Sequence, residues 1–391
     1  MSCDRAPLPE ITFDYVHTGR GVEISIYPLK RQYENLKPRK LWWKPKEDKN
    51  QDKNQDKNLI YKAEHITSST GSKTVVTRLY CRNGSKRFVI MMKKQETPSR
   101  ARQRGLVHEK QMYRISNYLV ALRICPFLLR SYDIATPRSV LLTESFDPRN
   151  YMTLRAFVHD ERKDWPKSIT RWMTKSERVA RQLLVQLLWA IEVYYRIGMR
   201  HNDLHLQNVL ISFCTPRDRI LNYISRRGKQ HVIILKRCPI MLTIFDNDRV
   251  IKANAPNLKN SKLAPATSPG PVTNLFPWHD PMLKTERLDL FKVLQELRQT
   301  ATHKGELYKL LKNLCVQGKC ATMSSKGENH MTRIYKANNF KQYHMLLNDN
   351  RREFHIPQWI GTAESYLLQI AAPFVTESKT GPFFADLANL Y

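Results

Sequence analysis

The stretch "GMRHNDLHLQNVLI" (198–211) sets the reading of this chain. It places His201, Asn202, Asp203 and His205 in quick succession after a helical pattern, and it ends in the strand-like Val209, Leu210 and Ile211. Asp203 and Asn208 stand five residues apart. A polar turn between a helix and a strand accounts for one or two such residues, because Asp and Asn side chains bond nearby backbone. It does not account for their order. The flanking sequence has to supply the context.

Upstream, "SERVARQLLVQLLWAIEVYYRIG" (176–198) is the clearest helical pattern. Its apolar face runs from Val179 to Tyr195, Ser176 is a weak cap, and Gly198 is a good stop. Downstream, a basic segment at 215–237 precedes a strand, "PIMLTIFDND" (239–248). The Pro-, Asn- and Ser-rich stretch 253–281 reads as a long loop, and "KTERLDLFKVLQELRQ" (284–299) as another helix. From about 150 onward the character is helical, with less regular helical patterns in 300–391.

Before 150 the pattern is β-rich. "LIYKAEHIT", "TVVTRLYCR" and "RFVIMMKK" read as three strands. "SSTGSK" joins the first two and "NGSK" the second pair, and Asn-Gly between β-rich runs is a strong hairpin signal. "GLVHEKQMYRISNYLVAL" (105–122) then reads as a helix, with Leu106, Met112, Ile115 and Leu119 on one side. "PFLLRSYDIA" (126–135) and "SVLLTES" (139–145) read as two further strands. Residues 1–58 form a basic extension with a Trp-containing run, "KPRKLWWKPK", and a low-complexity repeat, "EDKNQDKNQDKN". That repeat has no apolar residue with which to build a core.

Composition narrows the class. The 391 residues suffice for a sizeable core, and 41% of them are hydrophobic, as in globular chains. Lys and Arg number 65 against 35 Asp and Glu, giving a net charge of +30. Such a field favours polyanionic partners, nucleic acid among them, or serves solubility alone. Cys3, Cys81, Cys125, Cys214, Cys238, Cys315 and Cys320 are scattered and odd in number. They fit no zinc spacing, and free thiols in a reducing intracellular compartment are the simplest expectation. No apolar signal core opens the sequence and no run of about 18 apolar residues occurs, so neither a signal peptide nor a membrane span is expected.

A β-rich part with one helix, then a helical part, with polar motifs near the junction, resembles the protein kinase fold. The expected architecture is α+β and bilobal, with an N-lobe at 59–146, a C-lobe at 147–391 and a basic insertion at 215–237. The opening stretch carries the resemblance: His201-Asn202-Asp203-Leu204-His205-Leu206-Gln207-Asn208 is similar to the catalytic loop H-R-D-L-x-x-x-N. The resemblance implies that Asp203 orients the substrate hydroxyl and that Asn208 holds Mg²⁺. Asp246 in "LTIFDND" stands in the place of the Asp of D-F-G, a second Mg²⁺ ligand, with Asn247 and Asp248 where the family has Phe and Gly. "RFVIMMKK" supplies the phosphate-pairing lysine as Lys93, or as Lys94 one step later; Lys93 sits closer to the apolar strand centre. Met91 stands where the family usually has Ala. Glu109 in "VHEKQMY" is the implied partner of that lysine.

The phosphate-covering loop matches G-x-G-x-x-G-x-V only at Gly71 and Val76. "LLTES" resembles the hinge strand, with Thr143 as gatekeeper and Glu144 opening the adenine-binding hinge. Asp289 resembles the helix Asp that braces the catalytic loop. The resemblance covers roughly 60–300 and implies ATP and Mg²⁺ as cofactors with a protein Ser or Thr as acceptor. "HNDLH…N" with "IFD-D" resembles most the divergent serine/threonine kinases of large DNA viruses, which implies a host cytoplasm or nucleus or a virion as its setting. "DLH" also occurs in small-molecule kinases of the aminoglycoside and choline type. A third reading, a basic pseudokinase that binds nucleic acid or virion components, is disfavoured by the presence of all five machinery residues. Asn202, where the family commonly has Arg, carries no charge to pair with a phosphorylated activation loop.

Overall fold

The computed structural model describes residues 15–18, 21–24, 59–66, 74–83, 86–95, 100–122, 124–132, 140–145, 151–159, 176–201, 203–252, 287–301, 305–316 and 361–377. Gly71, Asn202, the repeat at 47–58, the "KPRKLWWKPK" run and the stretch 253–281 lie outside them. The architecture is mixed α/β, with two four-stranded sheets, helices packed on them and two short two-stranded pairs. β1 (Tyr15–Thr18) and β2 (Gly21–Ile24) form one such pair.

The first sheet has the order β3-β4-β5-β6 and is antiparallel throughout: β3 (Leu59–Ile66), β4 (Thr74–Asn83), β5 (Lys86–Gln95) and β6 (Val140–Ser145). Alternation does the sorting, because successive side chains on a strand point to opposite faces. Leu79, Ile90 and Leu142 cluster on one face. On the other, Leu141 packs with Leu106 and Tyr113 of α1 (Arg100–Ala121), with Leu129 and with Phe245. Helix α1 starts before the apolar periodicity does, because Arg, Ala and Gln in its first turns are good helix formers.

Of the strand expected at 126–135, the described part, 126–132, does not form one. Its backbone is divided between the two sheets: Leu129 N–H donates to Ile244 and Ile244 N–H to Phe127, while Tyr132 N–H donates to Leu142 and Arg130 accepts from Glu144 N–H. Only isolated bridges at Leu128 and Ser131 result. This segment stitches the sheets together instead of extending one.

The second sheet has the order β12-β10-β9-β7. It comprises β7 (Tyr151–Thr153), β9 (Val209–Ile224), β10 (Gln230–Ile244) and β12 (Val375–Glu377). The helical character expected from 150 onward is therefore shared with a sheet. The basic segment 215–237 forms the outer half of one long hairpin and its turn, paired from Val209↔Ile244 to Ile224↔Gln230. Arginines hid the alternation. Leu221, Ile233 and Leu235 are nonetheless buried, and Arg219 is buried with them. The register shifts between Leu235 and Cys238, where Arg237 adopts φ 46° and its N–H is capped by Asp218 Oδ1 at 2.7 Å. A bulge of this kind adds local twist and turns side chains outward.

Helix α3 (Glu177–Arg196) runs through the main core, with Leu184, Val185, Leu187, Leu188 and Ala190 fully buried. Ser176 caps it by accepting from Val179 N–H, and Gly198 at φ 70° turns the chain out of it. β8 (Met199–Arg200) then pairs with β11 (Ile251–Lys252), so the two polar segments flanking the hairpin leave it side by side. The short α2 (Leu154–His159), α4 (Arg287–Thr300), α5 (Glu306–Val316) and α6 (Ala363–Ala371) complete the described helices.

A buried ionic cluster ties α6 to the hairpin turn. Glu192 accepts from Arg196 Nε at 2.8 Å and from Arg226 Nε at 2.9 Å. Glu364 Oε1 accepts from Tyr223 Oη at 2.9 Å and from the Arg226 N–H at 2.6 Å. The Arg226 guanidinium also lies over the Tyr195 ring, 3.9 Å from its centre. Two carboxylates thus answer two guanidiniums, which is what lets four charges be buried together. Cys125 and Cys238 are buried and form no disulfide. No helix among the described residues is long and apolar enough to cross a membrane.

Candidate active site

Lys93 lies near the middle of β5, opposite Val76 on β4 and Leu141 on β6. Strand alternation sends Lys94 to the other face, where it is exposed. Lys93 Nζ stands 3.0 Å from a Glu109 carboxylate oxygen and 3.0 Å from Asp246 Oδ1. Glu109 is buried on α1, and its helix brings it over the sheet because Leu106 and Tyr113, three before and four after it, pack on the same side. Asp246 follows β10 with φ 63° and ψ 66°, a left-handed conformation uncommon outside Gly, Asn and Asp. Tyr113 Oη holds that backbone by accepting the Asp246 N–H at 3.0 Å.

The charges explain why the lysine stays. Burial works against its ammonium, but the carboxylates of Asp246, Glu109 and Asp248 outweigh burial and hold its pKa well above the ordinary lysine range. Burial raises the Asp246 pKa as well, and Lys93 overcomes this and lowers it. Glu109 goes the other way: burial pushes its pKa up against the pull of Lys93, with Asp246 and Asp248 repelling its charge. Glu109 and Asp246 thus share the Lys93 ammonium.

The loop after β8 is pinned from below by α4. The His201 N–H donates to Asp289 Oδ2 at 2.8 Å, and the Leu206 N–H donates to Glu296 Oε2 at 2.8 Å. His201 Nε2 donates to the Phe245 carbonyl at 3.0 Å, and the Phe245 N–H donates to the Asn208 carbonyl at 3.1 Å. The loop is thereby locked to the strand end that carries Asp246. Asp203 is half-buried, close enough for its charge to raise the Asp246 pKa, and its Oδ2 lies 3.9 Å from His205 Nε2. Asn208 Nδ2 donates to the Asp203 backbone carbonyl at 3.0 Å. That bond orients the amide and leaves its carbonyl oxygen as the end that suits a cation.

Asp246 and Asn208 together offer oxygen donors of the kind Mg²⁺ takes when phosphates complete its shell. Among the described residues no group of three or more His, Cys, Asp or Glu side chains is placed to hold a metal ion by itself. The donor set fits an ion that arrives with phosphate and not one held in a closed protein cage.

Other residues named from the sequence fall differently. Val76 sits directly opposite Lys93. Thr143 is buried in β6, opposite Met91. The Glu144 carboxylate is not brought to Lys93. It is taken by Arg130, accepting from its backbone N–H at 2.9 Å and from Nε at 2.8 Å. Gly71 and Asn202 lie outside the described residues.

Four participants were missed. Tyr113 and Glu296 had a signal in the sequence: Tyr113 is four residues from Glu109 and Glu296 is seven from Asp289, spacings that share a helix face. Asn247 had none. It is buried, accepts from Tyr194 Oη at 3.1 Å and donates to Ser116 Oγ at 3.2 Å, and so ties the residue after Asp246 to both α1 and α3. The fourth is His108, whose Nε2 donates to the Val250 carbonyl at 2.7 Å.

Burial lowers the His108 pKa, although the carbonyl partially offsets this. The folded state thus favours the neutral ring. Its contribution to stability is present above the unfolded value of about 6.5 and is lost as pH falls through the lower folded value. Thermal melts at pH 7.5 and 5.5 should show a larger acid loss in the wild type than in His108→Gln. Equal losses would mean that His108 does not hold α1 to this segment.

No protein-family model matches this sequence, and no match to a curated protein is found.

Proposed function

We propose that the chain is an ATP- and Mg²⁺-dependent serine/threonine protein kinase of the divergent kind that resembles those of large DNA viruses. In this reading the first sheet with α1 forms the smaller lobe and the hairpin with α3 to α6 the larger. The observation that carries the proposal is the Lys93 ammonium 3.0 Å from both Glu109 and Asp246, with Asp203 close enough to influence the Asp246 charge.

Lys93 takes the phosphate oxygens, and Glu109 keeps it aimed at them. Asp203 orients the acceptor hydroxyl and takes its proton as the γ-phosphoryl group passes to the hydroxyl oxygen and ADP departs. Asp246 and Asn208 would hold Mg²⁺, which would supply neutralisation of charge on the phosphates. Positioning and charge do most of the work in such a transfer.

The test is transfer of radiolabelled phosphate from ATP to a basic protein, with an aminoglycoside and choline as competing acceptors. Labelling of Ser or Thr supports the reading. Labelling of the small molecules alone would move the chain to small-molecule kinases, a reading suggested by the order Asp203-Leu204-His205. ATP binding without any transfer would leave a pseudokinase.

The basic surface supports a polyanionic partner, such as nucleic acid or an acidic protein. Arg227, Lys229, Lys236 and Arg237 are all exposed on the outer half of the hairpin. Counterion release makes such binding fall steeply with salt. Heparin affinity that stays flat from 50 to 200 mM salt, the window in which such contacts weaken by about a thousandfold or more, would show that the charge serves solubility alone.

A further inference from the structure

Arg78 spans the two sheets at the level next to Lys93. On β4 it is two residues beyond Val76 and directly opposite Met91, so it shares the sheet face that carries Lys93. Two residues of strand advance the chain by about 7 Å, roughly the step from one row of side chains to the next on the same face. The Lys93 row is where the phosphates bind in the reading above, and the Arg78–Met91–Thr143 row is the next one along.

The guanidinium is held at both ends. Its Nη1 lies 3.1 Å from Glu64 Oε2 on β3, and its Nη2 donates to Tyr151 Oη at 2.9 Å on β7 of the other sheet. Glu64 is fixed in turn by the Tyr80 hydroxyl at 2.8 Å. The Arg78 side chain is only 11% exposed, and its Nε–H is buried and meets no acceptor among the described residues. An unsatisfied donor on a charged, buried group is costly, and a fixed one of this kind is suited to an acceptor brought by a ligand.

Resting on the kinase reading, we propose that Arg78 recognises the nucleoside half of the nucleotide, its Nε–H donating to an acceptor on the sugar or base. Glu64 and Tyr151 are positioning residues that hold the guanidinium plane. Met91, in the same row, supplies apolar contact beside it.

The experiment compares ATP with tripolyphosphate, which keeps the phosphates and lacks the nucleoside. Affinities for both are measured by calorimetry with Mg²⁺ on the full chain, for wild type, Arg78→Ala and Arg78→Lys. Lysine keeps a cation for Glu64 but has no Nε–H in that place. Both variants should bind ATP about tenfold or more weakly, the loss of one charge-assisted hydrogen bond. Both should bind tripolyphosphate as the wild type does. Equal weakening of the two ligands would overturn the proposal, since Arg78 would then act through charge or fold. Unchanged ATP affinity in Arg78→Lys would overturn it too. A wild type that binds tripolyphosphate but not ATP would overturn it and the kinase reading together, whereas wild-type ATP binding with insensitive variants would sink the Arg78 assignment alone.

Discussion

Asp203→Asn should cut phosphate transfer at least a hundredfold while changing the apparent affinity for ATP little. The substitution keeps the shape of the side chain and leaves the backbone carbonyl that orients Asn208 in place. It removes the carboxylate that accepts the hydroxyl proton. General-base assistance of this kind contributes about 10²–10⁴ in rate, and a hundredfold corresponds to about 2.7 kcal/mol of transition-state stabilisation. Initial rates with radiolabelled ATP at saturating acceptor measure it. Near-wild-type turnover, with contaminating kinase excluded by a mock purification, would remove Asp203 from the mechanism.

Asp246→Asn should be at least as damaging to transfer and should leave the protein folded. Asp246 is both the oxygen donor offered to Mg²⁺ and a charge that Lys93 answers at 3.0 Å. An amide gives a poorer cation ligand, so a loss of more than a hundredfold in rate, about 3 kcal/mol, is expected, together with a higher Mg²⁺ requirement. Stability is set by two opposed effects. Asp246 repels the buried Glu109 and raises its pKa, but it is also the largest of the charges that hold the Lys93 ammonium. The melting temperature should therefore move far less than the rate. A variant that melts earlier and keeps its rate would show that Asp246 is a structural ion-pair partner and no more.

The parts of this site legible in the sequence were those fixed by order and spacing. Lys93, Glu109, Asp203, Asn208 and Asp246 could each be named because short motifs place them on a strand, a helix, a loop and a strand end. Lys93 and Lys94 differ by strand parity, and that parity puts Lys93 beside Glu109 in the structure. Glu144 could be placed on its strand, but nothing local showed that Arg130 would engage its carboxylate. The hairpin was obscured for a different reason. Its outer half interleaves arginines with apolar residues and includes the bulge at Arg237, so the period-2 signal breaks where the pairing continues. Segment 126–135 reads as a strand because it is apolar, yet the hydrogen bonds of its described part, 126–132, go to two sheets. The contacts of Asn247 join residues 53 and 131 positions apart, beyond the reach of any local pattern.

The ionic cluster around Arg226 has a consequence for how the chain is made. Glu192, Arg196, Tyr223 and Arg226 leave the ribosome close together, but Glu364 lies 138 residues after Arg226. At about 5–20 residues per second, translation takes roughly 7–28 s to supply it. Throughout that interval the Arg196 guanidinium at the end of α3 and the Arg226 guanidinium at the hairpin turn share the carboxylate of Glu192. The nascent chain thus passes through a stage in which its longest strands exist with an electropositive, uncovered end. Arrival of α6 neutralises that end and covers it in one event, so the timing of synthesis, and not the hairpin's own pairing, sets when this part of the molecule becomes final.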